Sequence, residues 1–600
     1  MNNKTFDSTN SSTNFNNSLA GILWTVTLLL ASTIVAHAGT YDGPAELPRV
    51  YIQSTLASTP APGVSVTVPA GGDFQAALKN AHCGDTIRLQ AGATFSGYYV
   101  FPAKTCDNAH WIIIRTSAPD SSLPPEGTRI KPCYAGVSSL PARPALNCSS
   151  TNNVMAKLVL SYSFGSGPIV LAPGANHYRL MGLEVTRKVG TFGIYNLAFV
   201  QSGTADHIIF DRVWMHGTVH DDTARGVMLS GLSNIAIVDS FFTDFHCTAI
   251  TGACSDSQTV AGGIGTAGGT YKIVDNFLEA AGENILFGGG SATSTPADIE
   301  IRRNHFFKPL TWMVGYPGFV GGTNGNSFVI KNHFELKNAQ RILFDSNIME
   351  NSWGGFSQTG FSILLTPKNQ VLNGINVCSL CQVTDITVRY TTISHVAGGL
   401  QIYNGLQGTS AALAGERYSI HDVVVDDING VKYKGPGIFA QISSTAGAPL
   451  LNNVAINHVT AFSFQSILMI GNPAIGPKIP DLTVTNSILN ATPYPLWSTG
   501  GTSNCAFTNV PIKTLNSCFS PYFFSADVII APTSNYPSSS WPLANYFPSS
   551  PTAVGLTSYN NGNGGNYQLT SSSPFVNKAT DGKNIGADIA GIKAATVSVY

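Results

Sequence analysis

The chain has 600 residues, of which 43% are hydrophobic and only 11% are charged. Its 32 Lys and Arg residues nearly balance 33 Asp and Glu residues, so no bulk field draws it to nucleic acid or to an anionic membrane surface. Sixty glycines and short apolar runs separated by Asn, Ser and Thr favour many strands and turns over long helices. We therefore expect a large all-β protein.

The N-terminus is polar up to Asn17 and then apolar up to residue 38. The apolar run ends in Ala36-His37-Ala38, the small-residue pattern of signal-peptide cleavage, so residues 1–38 are predicted to be a signal peptide. The alternative is an uncleaved membrane anchor, because the run approaches spanning length. Export predicts a secreted, periplasmic or cell-surface protein without stable membrane insertion after cleavage.

All ten cysteines follow Ala38, and an even number in an exported chain predicts disulfide bonds. We expect neighbours in sequence to pair, namely Cys83 with Cys106, Cys133 with Cys148, Cys247 with Cys254, Cys378 with Cys381 and Cys505 with Cys518. Metal or redox use of the Cys378-Ser-Leu-Cys381 motif is the alternative, but this motif lacks a second pair.

Residues 39–62 are rich in Pro and Ser and predict an extended leader. The next segment, VSVTVPAGGDFQAALKNAHCGDTIRLQAGATFSG, predicts a strand, a short helix and a strand. Phe74, Ala77 and Leu78 share one face of that helix, and Asp73 lies near its start. Such a helix suits a cap over the open end of a stacked sheet.

A short motif recurs from residue 209 onward. It consists of an apolar residue, a variable one, a polar one that is often Asp or Asn, a small polar residue and an apolar pair. It starts at residues 209, 237, 273, 301, 343, 388, 420, 456 and 484, and the shortest spacing of 28 residues recurs. A fixed coil with loops inserted into some turns explains these spacings and predicts a β-solenoid; an array of β-sandwiches explains them less well.

The capping segment resembles the opening of right-handed parallel β-helix proteins of the pectate-lyase-like superfamily. The tail SSSPFVNKATDGKNIGADIAGI, residues 571–592, resembles their last coil. The resemblance implies one right-handed parallel β-helix domain over residues 63–595, with the short helix as its N-terminal cap. It also implies an exported, carbohydrate-related context, and it leaves the reaction open. We expect a monomer.

The stretch SFVIKNHFELKNAQRILFDSNIM, residues 327–349, carries the densest set of ionisable side chains. Its first half alternates as a half-buried strand does. The inward residues would be Phe328, Ile330, Phe334 and Leu336, with Asn332 among them. The outward residues would be the catalytic candidates Lys331, His333, Glu335 and Lys337.

Outward side chains of neighbouring coils, ~4.8 Å apart, would add to this face. Three carboxylates are candidate Ca²⁺ ligands, because Ca²⁺ takes oxygen ligands: Glu283, Asp221 and Asp222. Basic and aromatic residues nearby are candidates for binding an acidic sugar chain: Arg225, Arg302, Arg303, His305 and Trp312. A register slip of one residue would invert these facings.

A lyase acting on a uronate polysaccharide must neutralise the substrate carboxylate, remove the α-proton and assist the leaving oxygen. Lys337 or Lys331, each crowded by the other and by Arg225, is expected to have a lowered pKa and to serve as the base. His333 is the other candidate base.

The run FELKNAQRILFDSN is similar to the lysine-bearing strand of the chondroitinase B-like alginate lyases. This resemblance implies that Lys337 is the base, and it places the family's catalytic arginine near Gln358, a substrate-binding candidate here. The function implied is β-elimination of an acidic, uronate-containing polysaccharide, with Ca²⁺ as a possible cofactor.

Two other functions stay open. One is a glycoside hydrolase with paired carboxylates, Glu283 with Glu335 or Asp221 with Asp222. The other is a non-catalytic carbohydrate-binding or cell-surface rod, on which the charges form solvated ion pairs.

Overall fold

The computed structural model describes residues 39–248, 254, 256–266, 268–355, 359–498 and 501–600. The predicted signal peptide, residues 1–38, and Gln358 lie outside these ranges. Within them, no helix is both long and apolar enough to cross a membrane.

Residues 63–530 wind into a right-handed parallel β-helix, whose strands pair in parallel from coil to coil in three rows. The first row consists of Ser65–Val68, Thr86–Leu89, Ile112–Thr116, Asn176–Met181, Ala205–Asp211, Leu232–Val238, Gly269–Val274, Ala297–Arg302, Ala339–Asp345, Leu482–Thr485 and Tyr522–Ser525. The second row consists of Thr94–Ser96, Ala156–Leu160, Leu183–Arg187, Trp214–His216, Phe241–Phe245, Phe277–Ala280, His305–Phe307, Ile348–Ser352, Ile488–Asn490 and Val528–Ile530. Three long strands run through both rows: Gln382–Val396, Ala414–Ile428 and Asn452–Ser463.

The third row forms a separate sheet of twelve strands. These are Tyr99–Phe101, Ile169–Leu171, Ile194–Val200, Thr223–Met228, Gln258–Gly262, Glu283–Phe287, Phe334–Leu336, Phe361–Leu365, Gly398–Asn404, Ile438–Ser444, Ser466–Gly471 and Leu496–Ser498. Inward Val, Ile, Leu and Phe side chains of all three rows form one continuous core. The fold class predicted from the sequence is therefore confirmed.

The repeated motif corresponds to the bend between the first and second rows. From the strand Asn176–Met181 onward, the residue that follows each separate first-row strand adopts a left-handed conformation, as at Arg212, Asp239 and Asp275. Buried side chains stack just after this bend: Asn276 Nδ2 lies 3.0 Å from Asn304 Oδ1, and Asn304 Nδ2 lies 3.1 Å from Asn347 Oδ1. The Asn of the motif therefore satisfies buried backbone and side-chain groups between coils.

Short helices cover both ends of the core. The helix Phe74–Asn80 starts at Asp73, whose side chain accepts a hydrogen bond from Ala76 N. Phe74 packs at 4.7 Å between ring centroids against Tyr99, which confirms the predicted N-terminal cap. At the other end the helix Pro511–Cys518 buries Leu515 and Cys518 in the core; the sequence analysis did not predict this second cap.

The remaining elements lie outside the coils. They are the strand pairs Tyr41–Asp42 with Ala45–Glu46, Val371–Leu372 with Ile375–Asn376, Leu406–Gln407 with Ser410–Ala411 and Leu556–Ser558 with Asn566–Leu569, and the helices Pro551–Val554 and Ile589–Ala595. Short 3-10 turns span Asp120–Ser122, Pro132–Ala135, Leu310–Trp312, Thr323–Gly325, Gly501–Ser503, Ser538–Ser540 and Asn560–Gly562. The five disulfide bonds join the cysteine pairs predicted from sequence order.

The leader, residues 39–62, lies along the outside of the first row, and we call it the strap. Three hydrogen bonds hold its backbone to the coils. Glu46 N donates to Asp385 Oδ1 (3.1 Å), and Arg49 N donates to Asp298 Oδ1 (2.9 Å). Arg179 NH1 donates to Ser54 O (2.8 Å). From residue 46 to residue 54 the strap therefore runs from later coils to earlier coils, antiparallel to the direction in which the coils are stacked.

Residues 571–600, which we call the tail, do not form the last coil that the resemblance implied. They run back along the bend between the first and second rows. Asp588 N donates to Asp422 Oδ1 (3.0 Å), Arg303 NH1 donates to Ala595 O (2.8 Å), and Arg129 NH1 donates to Val599 O (2.7 Å). The strap and the tail thus cover neighbouring sides of the β-helix and leave the third row uncovered by either segment.

Candidate functional site

A row of polar side chains crosses successive coils at the start of the third-row strands. Strand register aligns Asn196 with Arg225, Arg225 with Gln258 and Gln258 with Glu283. Arg225 Nε donates to Gln258 Oε1 (2.7 Å), and Gln258 Nε2 donates to Glu283 Oε2 (2.7 Å). Lys331 Nζ lies 3.4 Å from Glu283 Oε1. We call these five residues the polar ladder.

Further charged residues gather where the ladder ends. Lys331 Nζ also lies 3.2 Å from Asp256 Oδ1, and Lys337 Nζ lies 2.9 Å from Glu335 Oε1. Glu335 points out of the coil because its strand neighbours Phe334 and Leu336 both point into the core. The group Asp256, Glu283, Lys331, Glu335, Lys337 and Lys368 is called the charged cluster below.

The pKa values of the two predicted catalytic lysines are shifted upward, opposite to the sequence-based expectation. Burial alone would lower the pKa of Lys331, but the carboxylates of Glu283 and Asp256 outweigh it. Burial would also lower the pKa of Lys337, but the carboxylates of Glu335 and Glu283 outweigh burial and raise it. Both lysines are therefore cations at neutral pH. The sequence-based expectation failed because it considered the neighbouring cations and left out the carboxylates.

Lys368 shows the opposite behaviour. Its backbone N–H donates to Lys337 O (3.2 Å), which places it one coil beyond Lys337. Burial, followed by the charge of Lys337, lowers the pKa of Lys368. It is thus the lysine of the cluster whose uncharged form is most accessible.

Glu283 is fully buried, and its pKa is raised by burial and then by the neighbouring Asp256 carboxylate. Several other buried polar atoms in this part of the described structure have no hydrogen-bond partner: Glu335 Oε2, both amide atoms of Asn332 and Nε2 of His333. Unpaired buried polar atoms are costly, and they concentrate where a ligand completes the set.

The predicted strand over residues 327–337 is shorter than expected and includes only Phe334–Leu336. Phe328 and Ile330 pack with Trp312 and Trp353 in a separate cluster outside the coil core. His333 is fully buried, its Nδ1 lies 2.9 Å from Asn284 Oδ1, and burial lowers its pKa far below the usual value. It is a neutral side chain without access to solvent.

Three basic candidates lie on the first and second rows, with partners of their own. Arg302 NH1 lies 3.1 Å from Glu300 Oε1, and Arg303 donates to the backbone of the tail. His305 Nε2 lies 2.7 Å from Glu350 Oε2. The structure does not bring Arg302, Arg303 or His305 to the charged cluster.

Trp312 is buried, and Arg143 stacks over its ring at 5.5 Å, so no face of it is open to a sugar. Asp221 accepts from Gly190 N and Thr218 Oγ1, both at 2.9 Å. Asp222 accepts from Thr248 N at 3.1 Å. Both Asp side chains lie in the loop before the ladder, and the described residues do not join them with Glu283 into a three-ligand group.

The sequence analysis missed Asp256, Gln258 and Lys368. Asp256 lies in the loop after Cys254, where no periodicity signals its position. Lys368 follows the strand Phe361–Leu365 by three residues, in a loop. The strand register identifies Gln258, whereas Asp256 and Lys368 are identified only by their contacts with Lys331 and Lys337.

An exposed aromatic patch flanks the first rung of the ladder. It consists of Tyr98, Tyr162, Phe164, Phe192 and Tyr195, each between 37% and 73% exposed. The rings of Tyr98 and Tyr162 are 6.4 Å apart, Phe164 N donates to Phe192 O (2.6 Å), and Tyr195 precedes Asn196 of the ladder. The patch is therefore continuous with the ladder.

No protein-family model matches the chain, and no curated protein matches it in sequence. Among solved structures it is similar to a PL6-family alginate lyase, with 11% identity over 89% of this chain and 59% of that chain and a TM-score of 0.41. It is also similar to a PL6-family polysaccharide lyase from Pseudopedobacter saltans (10% identity, 80% of this chain and 95% of that chain, TM-score 0.37). A third similar structure is a family 28 exopolygalacturonase from Yersinia enterocolitica (12% identity, 72% and 73%, TM-score 0.35). These likenesses are too distant to assign a substrate or a reaction.

Proposed function

We propose that this chain is an exported polysaccharide lyase that cleaves an acidic, uronate-containing polysaccharide by β-elimination. The observation that carries the proposal is the charged cluster at the end of the polar ladder. It concentrates three lysines and three carboxylates on the uncovered side of a chain with only 11% charged residues. Perturbed pKa values and unpaired buried atoms in one place are typical of a site that acts on a ligand.

In the proposed reaction, the cations of Lys331, Lys337 and Arg225 bind the uronate carboxylate. This lowers the energy of the charge that develops when the α-proton leaves. Lys368 removes that proton, since its lowered pKa makes the neutral amine available. The ammonium of Lys337 or Lys331 donates to the leaving glycosidic oxygen. Glu335 orients Lys337 through their 2.9 Å contact, so we regard it as a positioning residue.

The oxygen atoms present also fit Ca²⁺, which takes carboxylate and amide oxygens. Asp256 Oδ1 and Glu283 Oε1 are buried oxygens that contact only Lys331 Nζ among the atoms described above, at 3.2 and 3.4 Å. Asn332 Oδ1 is a buried oxygen without a hydrogen-bond partner in the described residues. Asp256, Glu283 and Asn332 would hold the ion, in place of the predicted set of Glu283, Asp221 and Asp222. A bound Ca²⁺ would add positive charge for the substrate carboxylate.

The aromatic patch extends the proposed binding surface for sugars. Aromatic faces pack against the apolar faces of sugar rings while their polar edges stay hydrated. From Tyr195 the ladder crosses three coils to reach Glu283, about 14 Å at ~4.8 Å per coil. A polysaccharide lying along the ladder would therefore contact the patch while one uronate occupies the cluster.

The five disulfide bonds support export of the protein, because disulfide bonds form in oxidising compartments. We propose that residues 1–38 are removed as a signal peptide and that the mature chain acts as a monomer outside the cytoplasm.

Hydrolysis by paired carboxylates ranks lower. Of the predicted pairs, Glu283 and Glu335 each contact a lysine, and Asp221 and Asp222 each accept a hydrogen bond from a backbone N–H group. Hydrolases instead hold their two carboxyl groups about 5 Å or more apart on either side of the scissile bond. A non-catalytic binding rod would use the ladder and the patch without turnover.

The test is incubation of the protein with a panel of uronate polysaccharides, with and without Ca²⁺. The ultraviolet absorbance of unsaturated uronate ends is the readout. A rise establishes β-elimination and names the substrate. New reducing ends without unsaturation would favour the hydrolase, and binding without either product would favour the rod.

A further inference from the structure

Two histidines lie one above the other at the outer bend that leads into the first row, on a different side of the β-helix from the charged cluster. Strand register aligns Asn176 with Asp206, so His177 and His207 occupy equivalent positions of successive coils. Both have a left-handed backbone (φ 55° and 51°), and their rings stack 4.5 Å apart with 5° between the planes. Together with Asp206 they offer three metal-ligating atoms, all within 4.8 Å of one another.

The hydrogen bonds around His177 fix which ring nitrogen is free. Asn176 Nδ2 donates to Lys104 O (2.7 Å) and Gly174 O (2.9 Å), so Asn176 Oδ1 faces His177 Nδ1 at 2.9 Å as an acceptor. The ring proton therefore sits on Nδ1, and Nε2 carries a lone pair. Metal-binding histidines usually donate the N–H of their other ring nitrogen to an oxygen atom in this way.

His177 Nε2 faces another acceptor, Asn108 Oδ1, at 3.2 Å. His207 Nδ1 is buried without a hydrogen bond of good geometry and lies 3.2 Å from Asp206 Oδ1. Electron-pair donors of His177, His207 and Asp206 thus lie within 4.8 Å of one another, and a cation between them would satisfy them together.

We propose that His177 Nε2, a ring nitrogen of His207 and an Asp206 carboxylate oxygen form a binding site for a divalent transition-metal ion of the zinc class, with Asn108 Oδ1 nearby. Two imidazoles and one carboxylate favour Zn²⁺, Ni²⁺ or Cu²⁺ over Ca²⁺. The side chains need to approach by about 1 Å, because zinc–nitrogen bonds are about 2.0–2.1 Å long. One imidazole also has to rotate out of the parallel stack, because the lone pair of a ring nitrogen lies in the ring plane.

The position of the site suggests what the metal does. Trp111 packs edge-on against His177 at 5.0 Å, and its backbone N–H binds Pro60 O of the strap at 2.9 Å. The cavity beside it, about 360 Å³, is lined by His207 and Trp111 together with strap residues that include Tyr51 and Ile52. A bound ion would fix this bend and stabilise the contacts between the strap and the first row at Trp111, independently of catalysis.

The test is calorimetric titration of the chelator-treated protein with ZnCl₂, combined with thermal unfolding. One equivalent of Zn²⁺ should bind and raise the melting temperature, and an excess of CaCl₂ should not displace the bound zinc. His207→Ala and Asp206→Asn, both at partly exposed side chains, should each weaken zinc binding at least tenfold. His82→Ala, at a side chain that is 90% exposed, is the matched control and should bind zinc like the wild type.

Absence of stoichiometric zinc binding to the wild type would overturn the proposal. Unchanged binding in both His207→Ala and Asp206→Asn, with the variants folded by circular dichroism, would overturn it as well. Neither result bears on lyase activity, which is measured separately.

Discussion

On the sides covered by the strap and the tail, charged residues of successive coils alternate in sign and pair closely. Arg341 Nε lies 2.8 Å from Asp298 Oδ1, and Arg417 Nε lies 2.7 Å from Asp385 Oδ1. The same Asp298 and Asp385 carboxylates accept backbone N–H groups of the strap. At the charged cluster, by contrast, one lysine serves two carboxylates, while Glu335 Oε2 has no hydrogen-bond partner.

We infer that the ion pairs on the covered sides stabilise the fold, whereas the side chains of the charged cluster bind a ligand. Paired charges on the covered sides complete one another, so a substitution there should change stability and spare turnover. The cluster is incompletely satisfied, so a substitution there should change turnover, whatever its effect on stability. Proteins concentrate such local conflicts at functional sites.

Lys337→Ala should give the largest effect on activity. It removes a cation from the proposed carboxylate-binding group and should lower kcat on the best uronate substrate by roughly 100- to 1000-fold. The melting temperature should also fall, because the buried Glu335 carboxylate loses its partner, so kcat is measured well below the unfolding temperature of the variant. Steady-state kinetics and thermal unfolding check both, and full activity of the variant would remove Lys337 from the site.

Arg179→Met tests the covered side. Arg179 is fully buried, with NH2 at 2.7 Å from Asp211 Oδ2 and NH1 at 2.9 Å from Thr59 Oγ1 of the strap. Breaking a buried ion pair by removing one partner should cost about 3–5 kcal/mol of unfolding free energy. Denaturant unfolding measures this, and Arg88→Met, at a residue whose hydrogen bond to Ser65 is exposed, is the control. Equal midpoints for the two variants would contradict the structural role of Arg179.

His421 makes the strap sensitive to pH. Burial opposes its protonation, but Asp42 of the strap and Asp422 outweigh burial and raise its pKa to about 9. Because the folded pKa lies above the unfolded value, the stabilisation is fully present below pH ~6.5 and is lost as the pH rises through about 9. We expect the stability difference between the wild type and His421→Gln to shrink by about 2–3 kcal/mol across that interval.

Unfolding free energies of both proteins at several pH values supply that difference, and other titrating groups cancel in it. A difference that stays constant from pH 6 to pH 10 would show that His421 is not held as a cation by Asp42.

Lys432→Ala should have the smallest effect. Its ammonium lies 2.8 Å from Asp427 Oδ2, but the side chain is 49% exposed. An exposed pair of this kind contributes less than about 1 kcal/mol. Stability and kcat should both remain close to the wild-type values, which makes this variant the control for Lys337→Ala.

The coil architecture was predictable because its signal is repeated. Each motif start from residue 209 to residue 484 marks the approach to the same bend, and an error in one coil does not spread to the others. Cysteine pairing was predictable for a related reason, since every disulfide closes a loop of at most 23 residues in sequence separation.

The cluster was predictable only in part. The density of ionisable side chains predicted five residues of this region, and the structure places Lys331, Glu335, Lys337 and Glu283 at one end of the ladder. Arg225 lies two coils before Glu283 on the same ladder. The facing of His333 and the pKa direction of the lysines depend on contacts between coils, which the alternation of a single strand does not contain. Asp256 and Lys368 enter through loops that have no period.

The most direct measurement is the formation of unsaturated uronate ends by the wild type and by Lys368→Met on the same polysaccharide. We expect the wild type to form these ends. Lys368→Met should fold and still bind the polysaccharide, but its rate of forming unsaturated ends should be lower by about 100-fold or more. Unsaturated ends produced at the wild-type rate by Lys368→Met would contradict the assignment of the base. Failure of the wild type to form them on any uronate polysaccharide would contradict β-elimination itself.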